Sequence, residues 1–150
     1  MPLQVPSAVY RIETPRTVIR CYNPVDALLL EKSITQSLDH LKPWMTWVHD
    51  EPEPLSAKIH RLRRMRARFD LDEEYIYGIF TPEENFLIGG TGLHPRVGPK
   101  GIEIGYWINV NYINKGYCTE VVGALTKIAF EVLKFKRVEI HCDPMNLASA

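Results

Sequence analysis

The sequence has few cysteines, no net charge and no long apolar run. Its three cysteines lie far apart among 150 residues, so they predict neither a disulfide framework nor a paired-cysteine metal site. Basic and acidic residues number 18 each, and this balance argues against nucleic acid as a direct partner. No segment predicts a membrane span, and the N-terminus lacks the pattern of a secretory signal. We therefore expect a soluble, cytoplasmic protein without a metal.

The composition that remains is that of an ordinary globular protein. Hydrophobic residues make up 45% of the chain and charged residues 24%, without repeats or low-complexity segments. A chain of this length can bury one core. We therefore expect a single domain over residues 1–150.

The most informative stretch runs from residue 101 to residue 120 and continues into a helix. It predicts a strand, a tight loop of small and polar residues ending at Gly116, and a helix with one apolar face. Such a junction presents unpaired backbone N–H groups and the positive end of a helix dipole, which together favour a bound phosphate. Gly116 would let a phosphate approach the backbone closely, and Lys115 would add a positive charge. The apolar face of this helix comprises Val121, Leu125, Ile128 and Val132.

The spacing of this loop excludes two common nucleotide sites. Residues 114–118 match neither the Gly-x-x-x-x-Gly-Lys-Ser/Thr pattern nor the Gly-x-Gly-x-x-Gly pattern, so nucleotide hydrolysis and dinucleotide binding lose their main support. On spacing alone, a turn that uses Gly116 only for its geometry is as compatible with the sequence as a phosphate site.

The first part of the chain predicts a strand, a helix and an aromatic segment. The strand covers residues 11–22, and the helix begins after Asn23, a favourable capping residue. Trp44 and Trp47 follow within a short segment. Two such residues are compatible with a core or helix clamp, and also with the apolar wall of a substrate cleft.

A second helix is predicted from Pro54 or Ser56. Its charged face carries Lys58 among several arginines and is followed by an acidic run, so we expect this face to be solvated and charge-balanced. A docking patch for an acidic partner is the alternative.

The rest of the chain predicts more sheet. Residues 75–94 form a hairpin by alternation and turn chemistry, and glycines in its second strand are typical of a bulge or a close backbone approach. Residues 137–142 predict a short strand. Because a helix separates it from the strand in residues 101–120, the two strands should be parallel.

The informative stretch resembles a known family. Residues 103–107 followed by 114–120 are similar to the fourth strand and acetyl-CoA loop of GNAT-superfamily N-acetyltransferases, within these most of all to the RimJ/RimL type, which acetylates protein N-termini, including those of ribosomal proteins. The superfamily pattern Gln/Arg-x-x-Gly-x-Gly/Ala here holds Ile113, Gly116 and Cys118. The Thr-x-Arg-x-x-x-Arg pattern at residues 14–20 also resembles that branch.

The resemblance implies an α+β fold of three layers. It predicts a mixed, mostly antiparallel sheet with helices on both faces, in which the fourth and fifth strands are parallel and splay apart. The family's helix after the fifth strand and its last two strands are missing from the sequence. We therefore expect a GNAT domain that is truncated at its C-terminus.

The resemblance also implies acetyl-CoA as co-substrate. The loop and the strand edge would bind its pyrophosphate and pantetheine, and a backbone N–H near Trp107 or Ile108, at a strand bulge, would bind the oxyanion. Asn146 matches an asparagine that contacts CoA, although it could simply cap a helix. The expected cofactor-binding residues are Trp107, Ile108, Asn109, Val110, Asn114, Lys115, Gly116, Tyr117, Cys118, Thr119 and Asn146.

The expected chemistry is direct attack of an amine on the thioester in a ternary complex. Glu103 is the candidate general base, through water, with an inert cross-strand carboxylate as the alternative. Ser149 matches the serine that the family keeps near the thiol, or else caps a helix. Trp44 and Trp47 would line the acceptor site, whereas His94 and His141 have no predicted partner.

The acceptor is expected to be a protein N-terminus. A free α-amino group has a pKa of about 8 and loses its proton more easily than a lysine, whose pKa is about 10.4. The alternatives are a small amine such as an antibiotic or a polyamine, and a non-catalytic acyl-CoA-binding module. No membrane partner is expected, and a homodimer stays open.

Overall fold

The computed structural model describes residues 9–141, which form one six-stranded sheet with three α-helices. Cys142, Asn146 and Ser149 lie outside the described residues. In chain order the elements are β1 (Arg11–Glu13), β2 (Val18–Cys21), α1 (Ala27–Leu41), α2 (Leu55–Asp70), β3 (Tyr75–Phe80), β4 (Leu87–His94), β5 (Gly101–Ile108), α3 (Tyr117–Glu131) and β6 (Arg137–Ile140).

The strands follow one another across the sheet in the order β1-β2-β3-β4-β5-β6. Every neighbouring pair is antiparallel except β5 and β6, which are parallel. This confirms the predicted mixed sheet. The two parallel strands pair only from Gly101 to Ile104, so the second half of β5 has no partner strand on that side within residues 9–141.

The two faces of the sheet bury separate apolar clusters. Strand residues alternate between them, as in Val18 and Ile19, because successive side chains point to opposite faces. The helix α3 covers one face with Val121, Leu125 and Ala129. Both α1 and α2 cover the other, for example through Ile34 and Leu62. Helices on both faces were predicted correctly, although Val132 lies just beyond α3 and is 47% exposed.

The single strand predicted over residues 11–22 is wrong. The chain turns between β1 and β2, and the N–H of Thr14 donates to the carbonyl oxygen of Thr17 at 3.0 Å. Pro15 lies inside this turn and has no N–H to offer to a continuous strand. The turn reverses the chain, and β1 pairs with β2 as a short antiparallel edge.

The glycines of β4 reflect the close approach and the bulge that the sequence predicted. A Cβ on Gly89 would overlap the carbonyl oxygen of Trp107, and one on Gly90 would overlap its indole. Ile79 pairs with Gly89 and Phe80 with Leu87, so Ile88 is an extra residue in β4.

The bulge that the resemblance implied for the strand carrying Trp107 and Ile108 is not present. The register between β4 and β5 runs without a shift from His94 opposite Glu103 to Gly89 opposite Ile108. The irregularity lies one strand away, at Ile88. Any backbone donor to an oxyanion on β5 must therefore come from a regular strand.

Lys58 departs from the prediction for the charged face of α2. It is fully buried, and its Nζ lies 2.7 Å from both carboxylate oxygens of Glu51. Glu53 binds Arg61 at 2.8 Å and also approaches Lys58 at 3.4 Å. The acidic link before α2 thus folds back on the first turns of the helix. Lys58 is a structural ion-pair partner and not part of the solvated face.

Among the residues that the structure describes, no helix is long and apolar enough to cross a bilayer. Within the same range, no three His, Cys, Asp or Glu side chains come close enough together to hold a metal ion.

Candidate active site

The loop between β5 and α3 presents an open helix N-terminus. Gly116 is the residue before α3 and has a φ of +82°, a left-handed conformation that favours glycine. It has no side chain to cap the helix. The backbone N–H groups of Tyr117, Cys118 and Thr119 therefore lie at the positive end of the helix dipole without an N-cap side chain.

Arg16, from the turn between β1 and β2, holds this loop in place. Its Nη1 donates to the carbonyl oxygen of Lys115 at 2.9 Å, and its Nε donates to Glu120 in the first turn of α3 at 2.8 Å. Thr14 also donates to Glu120, at 2.6 Å. Burial raises the pKa of Glu120, but the hydrogen bonds from Thr14 and Arg16 outweigh it and lower the pKa below its usual value.

A cavity of about 260 Å³ lies against the loop. It includes most of the residues predicted to bind the cofactor. Lys115 is not among them, because its Nζ donates to the carbonyl oxygen of Asn111 at 3.1 Å and its side chain does not line the cavity. The predicted residues that line this cavity are Trp107, Ile108, Asn114, Gly116, Tyr117, Cys118 and Thr119.

Asn109 and Val110, which were predicted to bind the cofactor, also have structural contacts. Asn109 is fully buried, and its side-chain amide donates to the hydroxyl of Ser33 on α1 at 2.9 Å. Its backbone N–H donates to Ile88 at 2.7 Å, and the N–H of Val110 donates to Ser37 at 3.0 Å. These donors are used inside the protein, so the geometry does not support a cofactor contact through them. They anchor the end of β5 to α1 and β4.

Cys118 faces the small cavity as a neutral thiol. Burial raises its pKa, and a hydrogen bond with Tyr106 opposes that rise without cancelling it. A side chain of this size leaves the first turn of α3 accessible. Cys118 therefore fits the small-residue position of the loop pattern.

A second, larger cavity of about 780 Å³ lies between the sheet and the two helices α1 and α2. Its wall is mostly apolar, and both predicted tryptophans belong to it. Trp47 packs against Trp107 with ring centroids 5.9 Å apart. Apolar residues on this wall are Tyr22, Leu30, Ile34, Trp44, Met45, Trp47, Met65, Ile76 and Trp107.

Glu103 lies at the polar end of this larger cavity. It is a β5 residue whose side chain is only 9% exposed. Its Oε2 accepts a hydrogen bond from Nε of Arg96, in the loop before β5. Its Oε1 lies 3.4 Å from Nδ1 of His141. The carboxylate thus reaches the cavity between a guanidinium and an imidazole.

The two cavities share one wall. Four residues line both of them: Trp44, Met45, Tyr106 and Trp107. One end of the combined space is the N-terminus of α3, and the other end is Glu103. A molecule whose phosphates lie at Gly116 could therefore extend a reactive group towards Glu103.

The sequence predicts no partner for His94 or His141 at the spacing of a metal site or a catalytic dyad, and the structure places each of them near a carboxylate. His94 is opposite Glu103 in the sheet, and its Nδ1 lies 3.4 Å from Glu74. His141 approaches both Glu103 and Glu139. The approach of His141 to Glu103 depends on the pairing of β6 with β5, so the spacing of these two residues in the sequence carries no signal.

Arg96 and Tyr106 also line the cavities, although the sequence does not predict them as site residues. Tyr106 stands next to the predicted residue Trp107 in the chain, and Arg96 has no such signal. Met45 lies between the two predicted tryptophans and lines both cavities with Trp44.

The comparisons with known proteins agree with this geometry. A family model described as the acetyltransferase (GNAT) domain matches residues 16–150. The Bacillus subtilis protein "Probable N-acetyltransferase YjcK" is 36% identical over 102 residues, which are 67% of this chain and 56% of that protein. The chain thus spans little more than half the length of that relative.

Solved structures match over most of the chain. A Vibrio cholerae protein, provisionally described as a ribosomal-protein-serine acetyltransferase, has a TM-score of 0.79 and 26% identity, covering 95% of this chain and 79% of that one. RimL, a ribosomal L7/L12 α-N-protein acetyltransferase in complex with coenzyme A, has a TM-score of 0.81 and 18% identity, covering 93% and 78%. RimL is similar in fold alone. By its family match and its fold, this chain belongs to the GNAT acetyltransferases.

Proposed function

We propose that the protein transfers an acetyl group from acetyl-CoA to a primary amine, and that the amine is the N-terminal α-amino group of a protein. The observation that carries this proposal is the shared wall of the two cavities, which connects the open N-terminus of α3 with the carboxylate of Glu103. Family membership supports acetyl-CoA as the donor.

The small cavity suits the diphosphate end of acetyl-CoA. Its anionic oxygens would accept hydrogen bonds from the N–H groups that begin α3 at Tyr117, Cys118 and Thr119. The pantetheine would follow β5 beyond Ile104, where the described pairing of β5 with β6 ends. This path brings the thioester to Tyr106 and Trp107.

The chemical step is one nucleophilic substitution at the thioester carbonyl. The amine nitrogen forms a bond to the carbonyl carbon, the bond from carbon to sulfur breaks, and CoA leaves as a thiolate that takes up a proton. Glu103 accepts the proton that the amine loses, directly or through water. Trp44 and Trp47 would hold the acceptor beside the thioester. The proposal also includes Ser149 as the serine near the thiol of CoA, as the family resemblance implies.

An N-terminal acceptor is favoured by chemistry and by one relative. A free α-amino group is more often neutral near pH 7 than a lysine side chain, so it needs less help to attack. The name of the Vibrio cholerae neighbour supports a ribosomal protein as the source of that N-terminus. A small amine in the same cavity is the second candidate, because the apolar wall would also accept one.

A substrate panel tests the proposal. The purified chain is incubated with acetyl-CoA and release of free thiol is followed with peptides that carry free or blocked N-termini, with polyamines and with aminoglycosides. We expect release with peptides that have free N-termini, and mass spectrometry should show acetyl on the α-nitrogen. If thiol is released only with small amines, the acceptor is a small amine and not a protein N-terminus. Binding of acetyl-CoA without thiol release from any amine would identify a non-catalytic module and overturn the proposal.

A further inference from the structure

The side chain of His141 connects the buried carboxylate of Glu103 to solvent. It follows directly after β6, and its Nδ1 lies 3.4 Å from Oε1 of Glu103. The Glu103 side chain is 9% exposed and that of His141 is 59% exposed. The imidazole therefore offers a proton on Glu103 a route to bulk water.

The other carboxylate oxygen of Glu103 is already occupied. Arg96 donates to Oε2 from the loop that precedes β5. This leaves Oε1 as the oxygen directed at His141. His94, which is opposite Glu103 on β4, has Glu74 as its own charged neighbour at 3.4 Å. Arg96 thus orients the carboxylate through Oε2, and His141 faces Oε1 as a proton acceptor.

Glu139 contacts the other ring nitrogen of His141. Its Oε1 lies 2.9 Å from Nε2 of His141, and its Oε2 accepts from Nε of Arg137 at 2.7 Å. The hydrogen bonds with His141 and Arg137 lower the pKa of Glu139, so this carboxyl is an acceptor near neutral pH. In the tautomer of His141 whose Nε2 donates to Glu139, Nδ1 faces Glu103 as a proton acceptor.

We propose that His141 is the residue that removes the proton from Glu103 after each attack, so that Glu103 and His141 act in sequence. The proton leaves the amine nitrogen and forms an O–H bond on Oε1 of Glu103. That bond breaks as an N–H bond forms on Nδ1 of His141. The imidazolium then loses a proton to water, which restores a neutral imidazole. This inference rests on the proposed function.

The geometry provides the path of the transfer, because Oε1 of Glu103 and Nδ1 of His141 lie 3.4 Å apart and the imidazole is the more exposed of the two groups. Arg96 stays on Oε2 throughout and keeps the carboxylate aligned.

The test compares His141→Ala and His141→Gln with the unchanged chain. General acid–base groups contribute about 10²–10⁴-fold, and because Glu103 remains we expect kcat to fall at the lower end, about 10²-fold. Affinity for acetyl-CoA should not change. Imidazole added to the buffer should restore much of the rate of His141→Ala, because it can occupy the space and accept the proton.

Two controls separate a proton path from a structural role. His60→Ala removes an exposed histidine on α2 that does not line either cavity, and its rate should match the unchanged chain. Glu139→Gln should lower kcat less than the loss of His141 does, since an amide can still accept a hydrogen bond from Nε2.

The outcomes distinguish this inference from the proposed function. If the unchanged chain transfers acetyl groups and His141→Ala keeps its full rate, His141 is not in the path. A slow His141→Ala variant that imidazole does not accelerate, with His141→Gln at full rate, would show a packing role and also overturn it. If the unchanged chain has no activity with any amine, the proposed function fails, and the inference falls with it.

Discussion

The guanidinium of Arg16 stacks on the ring of Tyr117, with its central carbon 4.1 Å from the ring centroid. Tyr117 is the first residue of α3, so this contact fixes the point where the helix begins. A Cβ on Gly116 would lie 3.3 Å from Nη2 of the same guanidinium. Arg16 therefore orders the loop that would hold a phosphate, although it lies about one hundred residues earlier in the chain.

Replacing Arg16 should weaken acetyl-CoA binding. Arg16→Gln loses the hydrogen bonds of the guanidinium to Glu120 and to the carbonyl oxygen of Lys115, so the loop becomes less ordered. We expect the Kd for acetyl-CoA to rise about tenfold, which corresponds to about 1.4 kcal/mol. Calorimetry measures the affinity. Arg63→Gln, on the exposed face of α2, is the matched control. Equal affinities for the two variants would contradict the role given to Arg16.

Gly116 offers a second test of the same loop. Gly116→Ala forces a side chain into a left-handed conformation, at a cost of about 1–2 kcal/mol, and we expect weaker acetyl-CoA binding and a lower melting temperature. The control is Gly123→Ala in α3, where no atom lies within 4 Å of the new Cβ. That change should stabilise the helix by about 0.5–1 kcal/mol. If Gly116→Ala binds acetyl-CoA as tightly as the unchanged chain, the assignment of a phosphate site at Gly116 is rejected.

The general base is tested by Glu103→Gln. The amide keeps the shape and loses the proton acceptor, so kcat/KM should fall by about 10²–10⁴-fold while acetyl-CoA affinity stays the same. Glu83→Gln in the exposed turn between β3 and β4 serves as the control. An unaltered pH–rate profile in Glu103→Gln would reject the assignment.

The buried ion pair of Lys58 predicts that removing one partner destabilises the protein more than removing both. Lys58→Met leaves the Glu51 carboxylate buried without its partner, and breaking such a pair costs about 3–5 kcal/mol. The double variant Lys58→Met, Glu51→Leu should recover most of that loss, because Glu53 still has Arg61. Urea unfolding measures both. The idea fails if the double variant is no more stable than the single one.

Acid should destabilise the protein in part through Glu84. Hydrogen bonds from Arg11 and then Arg20 lower its pKa below 4.5. Its contribution to stability is present above the unfolded-state pKa and is lost as the pH falls through the lower folded-state value. Urea unfolding between pH 6 and pH 3 should therefore show a shallower loss for Glu84→Gln than for the unchanged chain. Identical slopes would exclude this contribution.

Much of the fold was predictable because its signals are local. The strand, loop and helix from Gly101 to Glu131 follow from alternation, one glycine and helical spacing, and the structure has them at those positions. The burial of Lys58 was not predictable. A lysine among arginines on a helix reads as solvated, and its partner Glu51 approaches only after the preceding link folds back.

The residues of the candidate site also divide into those with local sequence signals and those that depend on tertiary contacts. Gly116 and Glu103 were found through motifs that lie within one stretch of sequence. His141 and Arg96 meet Glu103 only because β6 pairs with β5 and the preceding loop turns over the same carboxylate. Such a register cannot be read from one sequence. The contact of Asn109 with Ser33 on α1 is likewise a tertiary contact that the sequence alone did not predict.

The wall between the two cavities also has a consequence for inhibition. Since Trp44, Met45, Tyr106 and Trp107 border both spaces, the proposed donor and acceptor sites are adjacent. A single compound in which a peptide N-terminus is joined covalently to the sulfur of CoA could fill both at once. Such a conjugate would bind without the entropy loss of bringing two molecules together, and should exceed either half alone in affinity.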